Sequence, residues 1–238
     1  MPGFGEKGLM KAVTFSFDDG ITQDIRMVEM MNKYGIKSTF NLNSGYLGKS
    51  GILNREGKRI SHYKISPNDV RGIYQGHEIA VHTITHPNLT KLDEENIVRE
   101  VEEDRLRLSE LAGYEVVGMA YPCGGVNNDD RVAEIIKRRT GVLYSRTITL
   151  SGSMDRQGNL FRFNPFEYVL HFDKLMEIGE KFVSSAPTDE QIFYVWGHAY
   201  EMDYSNDNWS RLEEFFKLIA GKKDIFYGTN KEILLSNG

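Results

Sequence analysis

Val13-Thr14-Phe15-Ser16-Phe17-Asp18-Asp19-Gly20 is an alternating apolar run that stops at two adjacent carboxylates and a glycine. Val13, Phe15 and Phe17 share one face at period two, the mark of a strand, and Gly20 supplies the turn chemistry for leaving it. The two acids admit two readings. In one they cap or complement the positive end of a helix beginning just after Gly20. In the other Asp19 ligates a cation whose charge keeps both carboxylates ionised despite their repulsion, and Asp18 is close enough to act as a base. Partners elsewhere in the chain decide between them.

Outward from this strand, Thr22 to Tyr34 carries Ile25, Val28 and Met31 at three-residue spacing and stops at Gly35, a helix with a glycine stop signal. Ser38 to Leu42 reads as a second strand. Asn43 to Lys64 is glycine-rich, basic and without a clear period, a long loop suited to lining a substrate groove. A Ser-Pro start predicts a short helix over Ser66 to Tyr74, and Glu78 to His82 a third strand with His82 at its C-terminal end. Lys91 to Ala112 predicts a long helix with Ile97, Val101, Leu108 and Leu111 on one stripe and its many charges on a solvated face.

Val116 to Tyr121 reads as a fourth strand ending at Pro122-Cys123-Gly124-Gly125, Asp129 to Arg139 as a helix, and Val142 to Ile148 as a fifth strand. Ser151 to Pro165 has no period. Phe166 to Leu170 reads as a strand, Phe172 to Ser184 as a helix, and Ile192 to Trp196 as a strand ending at Gly197-His198. Trp209 to Ile219 follows as an amphipathic helix and Ile225 to Tyr227 as the last strand. Strands alternating with helices imply an α/β fold of parallel βαβ units, and seven or eight of them close into a barrel more naturally than into an open sheet. With 238 residues, 40% apolar content and no linker or composition shift, one domain over 1–238 is expected.

Composition narrows the function classes. A net charge of −5 with Lys and Arg spread along the chain gives no footprint for nucleic acid or an anionic membrane surface. The single cysteine excludes an intramolecular disulfide and four-cysteine zinc sites. Met1 to Met10 lacks the apolar core of a leader and no stretch has transmembrane length, so a soluble, cytoplasmic protein is the default expectation. A secreted protein whose leader had been removed would read the same. The oligomeric state is left open.

In such a barrel functional groups stand at the C-terminal ends of strands, and Asp18, Asp19, His82, Cys123 and His198 each follow an apolar run there. His82 and His86 form a His-x-x-x-His pair, which Pro87 moves from helical toward extended geometry at His86. Two imidazoles with the Asp19 carboxylate make a three-ligand set suited to zinc or a similar divalent ion, although a histidine pair so spaced also occurs without metal.

These residues carry a resemblance. Ser16-Phe17-Asp18-Asp19-Gly20, His82-Thr83-Ile84-Thr85-His86 and Trp196-Gly197-His198 match, in order and spacing, three motifs of the polysaccharide deacetylases of the NodB-homology group, carbohydrate esterase family four. The resemblance implies a distorted (β/α) barrel that removes acetyl groups from N-acetylated oligosaccharides or polysaccharides with one divalent metal, zinc first and cobalt or nickel as alternatives. It makes Asp19, His82 and His86 the metal ligands, Asp18 the general base and His198 the general acid. The backbone N–H of Cys123 is then the candidate oxyanion donor, because Pro122 has none.

Two family features are altered. The Arg-x-Pro-(aromatic)-Gly motif stands here as Ala120-Tyr121-Pro122-Cys123-Gly124, without its arginine or its aromatic residue. Arg146, near the end of the next strand, is the candidate to pair with Asp18 in place of the arginine that orients the base in the family. The aspartate-and-tryptophan motif is not recognisable; Asp155 lies in its region without a following Trp. Tyr121, Trp196 and Tyr200 are candidate sugar-stacking residues, though each adjoins an apolar run that core packing also explains. Three alternatives remain at this level: a catalytically weak barrel that binds metal and carbohydrate, a hydrolase of another acyl amide, and a Cys123 nucleophile paired with a histidine.

Overall fold

In the computed structural model, which describes residues 4, 8–55 and 57–236, the opening run forms β1 (Lys11–Asp18), buried along its whole length. Of the stretch Met1 to Met10, residues 1–3 and 5–7 lie outside the described residues. α1 (Asp24–Tyr34) turns Met27, Val28 and Met31 inward and stops at Gly35, whose φ of 66° is the left-handed conformation that glycine adopts without strain. β2 (Ser38–Leu42) runs parallel to β1 with Ser38 opposite Phe15.

The stretch expected as a loop contains an antiparallel hairpin, β3 (Ile52–Arg55) and β4 (Lys58–Ser61). Only Ile60 is buried among its eight strand residues, so no alternating apolar pattern marks it in the sequence. α2 (Val70–Ile73) follows a 3₁₀ turn at Pro67–Asp69, and β5 (Glu78–Val81) lies parallel to β2. α3 (Glu94–Val98) and α4 (Asp104–Ala112) are one helix interrupted by a π-helical turn, Arg99–Glu103. Its charge run is not all solvated: Glu100, Asp104 and Arg105 are buried, because they stand three or four residues from Ile97, Val101 and Leu108 and so share the inward side of the helix.

The rest continues the alternation through β6 (Gly118–Ala120), α5 (Asp130–Arg139), β7 (Tyr144–Arg146), β8 (Glu167–Tyr168), α6 (Phe172–Ser184) and β9 (Gln191–Gly197). α7 (Asn208–Ile219), β10 (Ile225–Tyr227) and α8 (Asn230–Leu234) complete the described chain. The parallel sheet has the order β7-β6-β5-β2-β1-β9-β8, and β10 pairs with the start of β1. The edges meet through one segment: Phe163 N donates to Ser145 O beside β7, while Phe166 N donates to Tyr194 O of β9. The result is a distorted (β/α) barrel.

Register explains what fills it. Phe15 packs edge-on against Phe215 and Phe216 of α7, so the odd residues of β1 face the helical layer. The even residues Thr14, Ser16 and Asp18 face the barrel interior, where the Thr14 hydroxyl donates to Asn230 and Ser16 accepts from Asn41 and Arg146. This interior is a hydrogen-bonded polar column, consistent with the rule that buried polar groups find partners. No described helix is long and apolar enough to cross a membrane.

Candidate active site

Asp18 closes the inward face of β1, and the same alternation brings Asn41, His82, Arg146 and Trp196 to that end of the barrel. Arg146, fully buried, binds both Asp18 oxygens through one nitrogen, at 2.6 Å to Oδ2, and its Nε donates to Ser16 at 3.1 Å. Asn41 Nδ2 donates to the other side of Asp18 at 2.8 Å. Burial would raise the Asp18 pKa, but the charges of Arg146, His82 and His198 outweigh it and hold the carboxyl below its ordinary value.

Asp19 leaves the strand at φ 85°, a left-handed conformation that costs a non-glycine residue energy and aims its carboxylate back over the barrel. Among the described residues four non-glycines have positive φ, Asp19, Thr83, His86 and Cys123, and all four belong to this site or to the His82–His86 loop. At His86 the expected extended geometry is replaced by φ 57°: its N–H donates to the Thr83 hydroxyl, a local bond that outweighs the bias imposed by Pro87.

One ligand atom each from Asp19, His82 and His86 lies within 4.8 Å of the others. His82 is positioned through its Nδ1, 2.8 Å from the carbonyl of Ala120. A carbonyl only accepts, so Nδ1 carries the hydrogen and Nε2 keeps its lone pair for a ligand. Burial pushes the His82 pKa down to about 4 and lowers that of His86, so both rings are neutral near pH 7. The loop between them is fastened from behind: Glu100 accepts from the N–H and hydroxyl of Thr85, Asp104 from His82 N, and Asn43 donates to the carbonyls of His82 and Thr83.

His198 follows β9. Its Nδ1 is 3.0 Å from Glu201 Oε1, and Glu201 Oε2 accepts from its backbone N–H at 2.9 Å. Burial would lower the imidazole pKa; the Glu201 carboxylate outweighs that and raises it to about 9. Asp18, Asp19, His82, His86, His198 and Cys123 all line one cavity of about 260 Å³. The Cys123 N–H has no hydrogen-bond acceptor among the described residues, and its thiol lies 3.8 Å from His86 Nδ1, with burial raising the thiol pKa.

Of the candidate stacking residues, Tyr121 is buried with its hydroxyl donated to Phe161 O. Trp196 lies 4.8 Å from the Arg146 guanidinium, and Tyr200 stands 4.9 Å from His198; all three line the cavity. Asp155 is elsewhere: it pairs with Gln191 at the start of β9, the barrel end opposite His198. Sequence reasoning missed Glu201, Asn41, His62 and Lys64. His62 Nε2 donates to Asp19 Oδ2 at 3.2 Å and Lys64 Nζ to the Asp19 carbonyl at 2.7 Å. Both sit on the hairpin stem, which the sequence left without structure.

Fold and site together place this chain among the polysaccharide deacetylases: the model of that family matches residues 6–140, more than half of it, and the chain belongs to the family. The peptidoglycan-N-acetylglucosamine deacetylase of Listeria monocytogenes is 25% identical over 129 residues, 53% of this chain and 24% of the relative. The match thus spans about a quarter of the curated relative's length. Among solved structures, a family 4 carbohydrate esterase from Streptomyces lividans, in complex with acetate, superposes with a TM-score of 0.58 at 15% identity, covering 92% of this chain and 93% of that one. A mutant of a peptidoglycan deacetylase from Bacillus subtilis gives 0.52 at 15% identity, over 92% and 88%. At such identities the likeness is one of fold. The family match ends before Arg146 and His198, so the site geometry alone speaks for those two.

Proposed function

We propose that this protein hydrolyses the acetamide of N-acetylated sugars within a glycan, with one divalent metal. The observation that carries the reading is the convergence of the Asp19, His82 and His86 ligand atoms on the cavity that also receives Asp18 and His198. The donor set fits a divalent ion, because a carboxylate held ionised and two imidazoles held neutral offer three lone pairs without a proton to displace. Zinc suits it best, with cobalt or nickel as substitutes. When bound, such an ion supplies a Lewis acid that polarises the acetamide carbonyl and acidifies the attacking water.

The chain's own residues do the rest. Asp18, held ionised and oriented by Arg146 and Asn41, accepts the proton of the attacking water. The Cys123 N–H donates to the developing oxyanion. His198, protonated at neutral pH with Nδ1 engaged by Glu201, delivers a proton from Nε2 to the departing amine. Trp196 and Tyr200 offer faces for the sugar ring. The altered Arg-x-Pro motif is no bar to this reading, since Arg146 makes the contact with the base from the next strand.

The test is acetate release from N-acetylglucosamine oligomers by metal-stripped protein resupplied with zinc, cobalt or nickel, beside Asp18→Asn and His82→Ala. Release is expected only with metal. Asp18→Asn is expected to lose about 10²–10⁴ in turnover while still binding metal in calorimetry, and His82→Ala to lose both. Turnover without metal, or retained by Asp18→Asn, overturns the assignment.

A further inference from the structure

Between Lys49 and Lys64 the chain carries five cations, Lys49, Arg55, Lys58, Arg59 and Lys64, against one acid, Glu56, in a protein whose net charge is −5. The β3–β4 hairpin therefore concentrates positive charge where the rest of the molecule is acidic, and deacetylation of a neutral sugar makes no use of it. A cavity of about 480 Å³ opens between this hairpin and the candidate centre. It shares Asp19, Arg55, His86 and Tyr200 with the catalytic cavity, so an occupant of one is continuous with an occupant of the other.

The cations here are not equivalent. Lys64 is engaged by Asp19, through the bond to its carbonyl. Lys49 and Arg55 are exposed and have no ion-pair partner among the described residues; Lys49 rests 4.9 Å from the Tyr46 ring, and Arg55 is hydrogen-bonded to the Tyr204 side chain, which is a neutral partner. Beside them Tyr46, Leu53 and Tyr200 form an aromatic and apolar wall. A wall of this kind accepts the C–H face of a pyranose ring, and two cations at its rim with no carboxylate partner among the described residues ask for an oxyanion.

Resting on the deacetylase reading above, we propose that the glycan is anionic: the sugar in the hairpin cavity, adjacent to the one whose acetamide is cleaved, bears a carboxylate or a phosphate read by Lys49 and Arg55. Arg55 borders both cavities, which places that charge within one sugar of the acetamide. Exposed charges act through a screened field, so the preference is salt-dependent.

The test compares three oligosaccharides of equal length with the metal-loaded protein: an N-acetylglucosamine hexamer, a hexamer alternating N-acetylglucosamine with glucuronate, and the first hexamer phosphorylated on one sugar. Acetate release and calorimetric binding are measured for the wild type and for Lys49→Gln with Arg55→Gln, at low and high salt. One anionic hexamer is expected to exceed the neutral one in kcat/KM by about fivefold or more, through KM. Which of the two does so identifies the oxyanion. High salt, or the double substitution, is expected to bring the values within about twofold of each other. A wild type that uses the neutral hexamer as well as both others, or a preference that survives the double substitution, overturns the proposal. If nothing is hydrolysed, the deacetylase reading fails by itself, and binding decides the cavity: salt-sensitive preference for an anionic hexamer, lost in the double variant, sustains it, and equal binding sinks it.

Discussion

At His198 two effects of opposite sign meet: burial lowers the imidazole pKa, and the Glu201 carboxylate, 3.0 Å from Nδ1, carries it up to about 9. An acid must hold its proton, so turnover that depends on His198 is present below that pKa and lost as pH rises through it. In Glu201→Gln the hydrogen bond can persist but the charge is gone. The alkaline limb of the kcat profile is then expected to move down by about one pH unit or more, and an unmoved limb would assign it to another group. Glu201 was invisible in the sequence because Ala199–Tyr204 is a 3₁₀ turn without an apolar period, and only the turn brings the carboxylate back onto the ring. Cys123 is the opposite case, conspicuous in sequence as a nucleophile. Its raised thiol pKa argues against a thiolate, and the φ of 69° asks for glycine. Cys123→Gly keeps the N–H, so turnover is expected to survive with stability within about 1 kcal/mol of wild type. Abolished turnover in a folded Cys123→Gly would restore the thiol mechanism.

The helix spanning α3, the π turn and α4 shows how one element holds the site without touching substrate. Glu100 follows the buried Ile97 by three residues, which sets it beside the apolar stripe, and within the π turn its carboxylate bonds Thr85, between the two histidines. The apolar stripe was legible because Ile97, Val101 and Leu108 are buried as their spacing demands. The inward acids were not, since Asp104 falls on the same stripe between Val101 and Leu108 but its charge, among so many charged neighbours, reads as solvated. Glu100→Ala frees the Thr85 N–H and hydroxyl and loosens the loop carrying His86. Metal affinity is expected to fall by about 10- to 100-fold, read by calorimetric titration, while far-UV circular dichroism stays that of the wild type. Unchanged affinity would reduce Glu100 to a packing role. The β3–β4 hairpin is the complementary lesson: strands of four residues with one buried side chain leave no pattern to read, yet its stem delivers His62 and Lys64 to Asp19.

Across the whole molecule the barrel was legible because the parallel strands β1, β2, β5, β6 and β7 are buried on both faces, whereas its polar filling was not, since Thr14, Ser16, Thr39 and Glu78 alternate with apolar residues as a solvated face would. A fold with this many buried polar groups has a stability that depends on pH, and Asp24, at the junction of β1 and α1, provides the clearest case. It is fully buried, its Oδ2 accepts from Ile21 N and the Tyr74 hydroxyl, and Oδ1 has no partner among the described residues. Burial outweighs those bonds and raises its pKa to about 7. The folded state therefore binds a proton more tightly than the unfolded chain does. Between the ordinary carboxylate range near pH 4 and the folded value near 7, stability falls as pH rises, and above 7 the loss is complete. Asp24→Asn cannot ionise and lacks this slope. In urea unfolding with a chelator present, the stability of wild type minus that of Asp24→Asn is expected to fall by roughly 3 kcal/mol between pH 4.5 and 8. A difference that is independent of pH would mean that Asp24 ionises freely in the fold, with the burial of its carboxyl relieved by water reaching Oδ1.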